Sequence, residues 1–200
     1  IMYYENTPPL ETERLILRKF TEHDIDDMLL LYGDEEVNKF LPWFPMKTRG
    51  DVLNYFYNSI YPVYEKDIAY SYAISQKLDD RVIGYVHVND IGDSNDMGYA
   101  LRKEYWHKGI TSEACAAVAD RLRKAGFPYI TATHDINNPY SGEVMKKVGM
   151  AYRYSYRELW QPKGIYVTFR MYQLNLDGNS ERVYQKYWDK YDVHYIENIV

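Results

Sequence analysis

Gly98-Tyr99-Ala100-Leu101-Arg102-Lys103-Glu104-Tyr105-Trp106-His107-Lys108-Gly109-Ile110-Thr111-Ser112-Glu113-Ala114 runs straight on into Cys115-Ala116-Ala117-Val118-Ala119-Asp120-Arg121-Leu122. The first residues alternate as a strand does, and the last are Ala-rich with apolar residues at helical spacing. Between them lies a short turn with a lysine, a glycine and two hydroxyls. A strand turning sharply into a helix leaves the first helical N–H groups unpaired and pointing outward. With the helix dipole, that makes an anion site, most often for phosphate. Lys108 adds a point charge, and Gly109 lets backbone approach a ligand closely. A plain strand-to-helix connection looks the same, so the rest of the chain has to decide between the two.

Outward from this stretch, the pattern predicts β-α-α-β-β-β-α-β-α-β-β, a mixed sheet with helices on both faces. Arg14 to Phe20 reads as the first strand. Thr21 N-caps a helix, with Asp24 three residues on and an apolar face of Ile25, Met28, Leu29 and Tyr32. Trp43-Phe44 lies between Pro42 and Pro45, in a stiff loop that either lines a cleft or packs under a helix. A second helix is expected from Lys47 to about Glu65 with Val52, Tyr55, Phe56, Ser59, Ile60 and Val63 on one face, kinked or shortened by Pro62. Strands follow over Ala69 to Ser75 and Arg81 to Ile91, with Gly84 marking a bulge or a close backbone approach. Beyond the helix from Ser112 to Lys124, Gly126 is a C-cap and Tyr129 to His134 a short strand. Asn138-Pro139 opens a helix closed by Gly149. Two more strands, about Ala151 to Leu159 and Ile165 to Leu174, meet at Gln161-Pro162-Lys163-Gly164. Residues 1–176 read as one domain. Residues 177–200 form a Tyr-rich extension with Val183, Tyr187 and Trp188 at helical spacing, able to pack on the domain or on a second subunit as a homodimer contact.

Two hundred residues are enough for one domain with a real core. Net charge is −5, from 24 Lys+Arg against 29 Asp+Glu, which argues against general nucleic-acid binding and favours cationic partners such as amines. The single cysteine, Cys115, rules out an intrachain disulfide or a cysteine-based metal site, and the histidines and acidic residues show no ligand spacing for a metal. With no signal peptide and no apolar run of membrane length, a cytoplasmic location is expected. Ile1 precedes Met2 and reads as an added residue rather than native sequence.

Four stretches together resemble the GNAT acyl-CoA N-acyltransferase superfamily, and within it the ribosomal-protein N-terminal alanine acetyltransferases. Thr12-Glu13-Arg14-Leu15-Ile16-Leu17-Arg18 is similar to that group's opening strand, and Val37-Asn38-Lys39-Phe40-Leu41-Pro42-Trp43 to the loop after its first helix. The stretch quoted at the outset is similar to its coenzyme motif. Asp135-Ile136-Asn137-Asn138-Pro139-Tyr140-Ser141 with Val144-Met145-Lys146-Lys147-Val148-Gly149-Met150 is similar to its Asn-x-x-Ser helix and closing glycine. The resemblance spans about residues 8 to 174.

It implies a mixed, mostly antiparallel sheet whose strand ending at Leu101 splays from the one over Tyr129 to His134. Acetyl-CoA would lie in the gap, its pantetheine arm paired with backbone of Tyr99, Ala100 and Leu101. Its pyrophosphate would rest on Trp106, His107, Lys108, Gly109, Ile110, Thr111 and Ser112. The resemblance further implies that Asn138 bonds the coenzyme arm, where the residues alone equally allow a plain N-cap, and that Ser141 stabilises or protonates the leaving thiolate. The family usually has glycine at His107 and glycine or alanine at Thr111, which puts coenzyme affinity in question. Many relatives carry a catalytic tyrosine where this chain has Met145, leaving the acid role to Ser141 or Tyr140. The implied reaction passes acetyl directly to a primary amine, on a protein N-terminus or a small molecule, through a tetrahedral intermediate held by a backbone N–H near Leu101. Asp96 is the first candidate base, followed by His87 and Glu113. Trp43, Phe44 and Tyr166 are the candidate acceptor contacts. The competing reading is a non-catalytic acyl-CoA sensor on the same fold.

Overall fold

The structure, a computed structural model, describes residues 3–198; Ile1, Met2, Ile199 and Val200 lie outside the described residues. Strands β1 (Leu10–Glu11) and β2 (Leu15–Arg18) open the chain. Thr21 and Asp24 form the reciprocal cap that their spacing predicts, first on a single 3₁₀ turn (Glu22–Asp24) that runs into α1 (Ile25–Tyr32). Ile25, Met28 and Tyr32 are buried as expected; Leu31 completes the face, and Leu29 is only half-buried.

The second helix is segmented where one continuous helix is expected. It comprises α2 (Arg49–Tyr55), a wide π turn over Phe56–Ile60, and α3 (Tyr61–Tyr64). Pro62 lacks an N–H and its ring crowds the preceding turn, so a widened turn just upstream lets the helix pass it. The change of phase exposes Ser59 and leaves Val52, Phe56 and Ile60 as the buried positions.

Next come β3 (Tyr70–Gln76), β4 (Val82–Asn89) and β5 (Asp96–Leu101), then α4 (Ile110–Lys124), β6 (Tyr129–Asp135), α5 (Pro139–Val148), β7 (Ala151–Trp160) and β8 (Ile165–Asn175). Helix α4 starts two residues before the expected Ser112. Gly84 serves the expected close approach: a Cβ there would sit 2.4 Å from the Ala100 carbonyl oxygen, beside a register shift between β3 and β4. Among the described residues the strands, with β9 (His194–Tyr195) the last, form one sheet in the order β1-β2-β3-β4-β5-β6-β8-β7-β9, antiparallel except for β5–β6. Helices α4 and α5 cover one face and α1 to α3 the other, which gives two apolar clusters.

The C-terminal extension folds back on its own sheet. Helix α6 (Lys186–Lys190) is shorter than the expected spacing suggests, with Val183 outside it, and β9 (His194–Tyr195) pairs with β7. Tyr184, Tyr187, Trp188 and Tyr191 cover Tyr154, Tyr156 and Phe169 as a third cluster. Glu197 fastens the end by an ion pair to Arg170 at 2.8 Å and a bond from the Ser155 hydroxyl at 2.6 Å.

Candidate active site

Strand β5 pairs with β4 over its whole length but meets β6 at one position, Asp96 opposite Thr131. The Thr131 N–H donates to Asn95 O (3.2 Å) and the Arg102 N–H to Ile83 O (2.8 Å). Backbone direction alternates along a strand, so the N–H and C=O of Tyr99 and the N–H of Leu101 face the widening gap. The Leu101 carbonyl accepts from the Trp106 indole at 2.7 Å, fixing the strand's end. A cleft of about 310 Å³ passes through the gap, lined by β5, the end of β6, the first turns of α4 and α5, and a loop beyond α1.

Below the cleft the turn into α4 has two left-handed residues, His107 (φ 61°) and Gly109 (φ 75°). Backbone alternating in this way gathers N–H groups into a concave anion nest. No side chain caps α4, and its first internal bond is Glu113 N–H to Gly109 O, so the amides of Ile110, Thr111 and Ser112 are bare. His107 occupies a conformation that favours glycine but tolerates histidine better than most residues. Three contacts brace the turn. The Arg14 guanidinium donates to Lys108 O (2.9 Å), the His107 N–H donates to the Tyr140 hydroxyl (3.2 Å), and the His107 ring meets that of Tyr140 edge-on at 5.0 Å. Tyr140 is thereby committed to the turn. Lys108 is exposed and rests on Glu104 O at 3.4 Å. Thr111 is buried and lines the cleft.

On α5, Asn138 takes the N-cap position but its side chain makes no capping bond and lines the cleft. Ser141 Oγ lies 2.9 Å from the Tyr99 hydroxyl, which also donates to Ser141 O at 2.7 Å. Burial raises the Tyr99 phenol well above its usual range, so it stays protonated. Sequence reasoning used only the backbone of Tyr99; its hydroxyl is a side-chain partner of Ser141. Met145 packs in the core.

Asp96 sits at the apex of the gap, on the face it shares with Gly98 and Ala100. Its Oδ1 is buried with no hydrogen-bond partner among the described residues, and burial, then the charges of Asp90 and Glu158, push its carboxyl up to about 7. His87 stacks on Tyr85 at 4.4 Å with Nδ1 2.9 Å from Ser71 Oγ, and burial lowers it to about 4, so it is neutral near pH 7. Burial raises Glu113 but hydrogen bonds from Thr12 and Arg14 outweigh it, and its pKa is lowered. Glu113 is thus an anchor of α4 to the start of β2.

Trp43, Phe44 and Tyr166 do not line the cleft. The Trp43 indole donates to Asn38 Oδ1 at 3.2 Å, Phe44 is 63% exposed, and Tyr166 is 64% exposed under the Arg157 guanidinium. Phe40 and Leu41 line it from the same loop, and Trp160 and Phe169, with centroids 4.6 Å apart, face them from β7 and β8. The Pro-flanked loop is legible in sequence as a cleft candidate. What orients it is Asn38, only 1% exposed, whose amide donates to Leu31 O (3.0 Å) and Asp34 O (2.7 Å) and turns Phe40 inward in place of Trp43. Phe169 lies on a strand already expected, whereas Trp160 lies one residue beyond the expected end of β7, which runs on to include it.

A strand-lined gap continuous with a bare-amide turn is the layout of a site for a nucleotide-bearing coenzyme. The model of the acetyltransferase (GNAT) domain matches residues 14–151, and the chain belongs to that family. It is 23% identical to the uncharacterized N-acetyltransferase YoaA of Bacillus subtilis over 146 residues, 71% of this chain and 82% of that protein. Among solved structures it superposes on RimL, a ribosomal-protein α-N acetyltransferase in complex with coenzyme A. The TM-score is 0.74 at 18% identity, over 85% of this chain and 99% of that one. For spermidine N-acetyltransferase from Vibrio cholerae, in complex with CoA and spermine, the TM-score is 0.68 at 14% identity, over 82% of this chain and 97% of that one.

Proposed function

We propose that this acetyltransferase moves acetyl from acetyl-CoA directly to a primary amine that is cationic before it reacts. The observation that carries the reading is the single-position pairing of β5 and β6, which leaves strand backbone open beside an uncapped helix start. These residues fit the coenzyme. Bare amides at 110–112 suit a diphosphate, the free edge of β5 suits an amide-bearing arm, and the Asn138 side chain is uncommitted. The bound thioester supplies an activated acyl group. Ser141, oriented by Tyr99, offers a hydroxyl where the departing sulfur would lie. The Leu101 N–H faces the gap as the oxyanion donor.

The acceptor half supports a cationic amine. Among the described residues the cleft lining includes Glu36 and Asp135 and the rings of Phe40, Trp160 and Phe169, but no lysine or arginine. A carboxylate near pH 7 is well matched to an α-amine of pKa about 7.7–8.0, and less so to a lysine-type amine near 10.4. Asp96, one position from the lining, takes the proton through a water. A reducing cytoplasm suits the buried, lone Cys115.

The test is a thermal-shift titration with acetyl-CoA followed by a free-thiol release assay with α-amines and polyamines. Stabilisation by acetyl-CoA together with amine-dependent release is the expected result. Stabilisation with no release on any amine favours an acyl-CoA sensor, and no stabilisation overturns the coenzyme site.

A further inference from the structure

The acceptor half of the cleft has two walls from distant parts of the chain: Val37, Phe40 and Leu41 after α1, and Trp160 with Phe169 on the β7–β8 hairpin. Among the described residues, the hydrogen bonds joining the two segments come from one atom. Lys163 Nζ, on the hairpin's turn, donates to Asn38 O at 3.1 Å and Lys39 O at 3.3 Å. Lys163 is half-buried and makes no ion pair among the described residues. Holding a long side chain still costs rotamer entropy, and two charge-assisted bonds to carbonyls are of a size to offset it. The loop needs no help to keep its own shape, because the Asn38 side chain already ties it to Leu31 O, Asp34 O and the Trp43 indole. What Lys163 adds is the distance between the walls.

We infer that Lys163 is a positioning residue that latches the hairpin to the loop as a roof over the acceptor arm, and so restricts acceptors to amines at the end of a slim chain. The inference rests on the acetyl-transfer reading for its substrate, but the latch itself is a property of the unliganded fold. A slim chain enters lengthwise between Phe40 and Trp160. A branched or ring-bearing chain has to part the walls and break both bonds.

The experiment compares wild type with Lys163→Met, which keeps the stem, and Lys163→Arg, which keeps the charge. The acceptors are glycine amide, an unbranched α-amine, and an amino-acid amide of matched basicity bearing a cyclohexyl ring at its third carbon. Wild type is expected to prefer the unbranched amine at least 10-fold in kcat/KM. Lys163→Met should narrow this to within threefold through KM, with kcat unchanged, and Lys163→Arg should retain the preference. Amide hydrogen exchange of the free enzyme gives a second readout. Residues 36–43 should exchange at least 10-fold faster in Lys163→Met, with residues 96–112 unaltered. Equal discrimination in wild type and Lys163→Met, or unchanged exchange at 36–43, overturns the latch. Acetylation of no amine counts against the transfer reading instead, and the exchange result still decides the latch.

Discussion

Gly142 and His134 compete for one volume: a Cβ on residue 142 would lie 2.6 Å from Nε2 of His134. His134 cannot easily give way. Its Nδ1 is 2.8 Å from Asp135 O, so that nitrogen carries the proton, and Nε2 is buried under the first turn of α5 with no partner among the described residues. Alanine in a helix interior gains about 1 kcal/mol over glycine, but overpacking a locked ring costs about 1–3 kcal/mol. The clash should win. Gly142→Ala should lose about 1–2 kcal/mol in urea unfolding and weaken acetyl-CoA binding several-fold, because Asn138 and Ser141 move with α5. Adding His134→Ala should restore the binding measured by calorimetry.

The Tyr99 hydroxyl holds Ser141 by two contacts, and its loss tests orientation separately from chemistry. Tyr99→Phe should lower kcat about 10-fold and Ser141→Ala about 100-fold, with acetyl-CoA dissociation constants within threefold of wild type in both. The double variant should be no slower than Ser141→Ala alone, a coupling that steady-state kinetics can measure.

Asp96 gives a pH dependence of definite sign. Its folded pKa of about 7 lies above the unfolded value of about 3.9, so the folded chain binds the extra proton between those limits. Its contribution to stability is therefore full below pH 4 and lost as pH rises through 7. Asp96→Asn should raise stability at pH 8 by about 1–3 kcal/mol and leave it unchanged near pH 4. Activity runs the other way. In its proposed role as base Asp96 must be ionised, so kcat/KM should climb through pH 7 in wild type, and in Asp96→Asn fall about 100-fold and lose that inflection. Thermal melts and rate profiles at the two pH extremes check both halves.

Acceptor contacts should follow the cleft lining rather than exposed rings. Phe40→Ala and Trp160→Ala are expected to raise acceptor KM about 10-fold with little change in acetyl-CoA binding. Phe44→Ala and Tyr166→Ala should leave both within twofold. A shift of acceptor KM in Phe44→Ala would place the amine outside the cleft.

At position 107 a β-branched residue fits the left-handed backbone far worse than histidine. His107→Val should lose about 1–2 kcal/mol and weaken acetyl-CoA binding at least 10-fold, whereas His107→Gly should bind as wild type. Melting curves with and without ligand distinguish the two.

The order of the elements was legible because the signals are local: the Thr21–Asp24 cap, the glycines at 126 and 149, and alternation in the strands. The coenzyme turn was legible for the same reason, being one continuous segment. The acceptor half was not. Whether Trp43 or Phe40 turns inward depends on Asn38 reaching back to Leu31 and Asp34, and Trp160 comes to line the same cleft as Phe40 only once the end of β7 and the loop after α1 are brought together by the fold. The Tyr99–Ser141 contact was missed because it crosses 42 residues. The break at Phe56–Ile60 followed from Pro62, but the direction of the change of phase is a matter of packing.

Arg14 stands just ahead of β2, yet it holds the Lys108 carbonyl and, with Thr12, the Glu113 carboxylate. The amides offered to a diphosphate are thus steadied by a side chain that enters the fold some ninety residues earlier. Trimming or remodelling the opening strands would therefore be felt as a loss of donor affinity. Alterations made there for expression or solubility are best judged by coenzyme titration before any turnover assay.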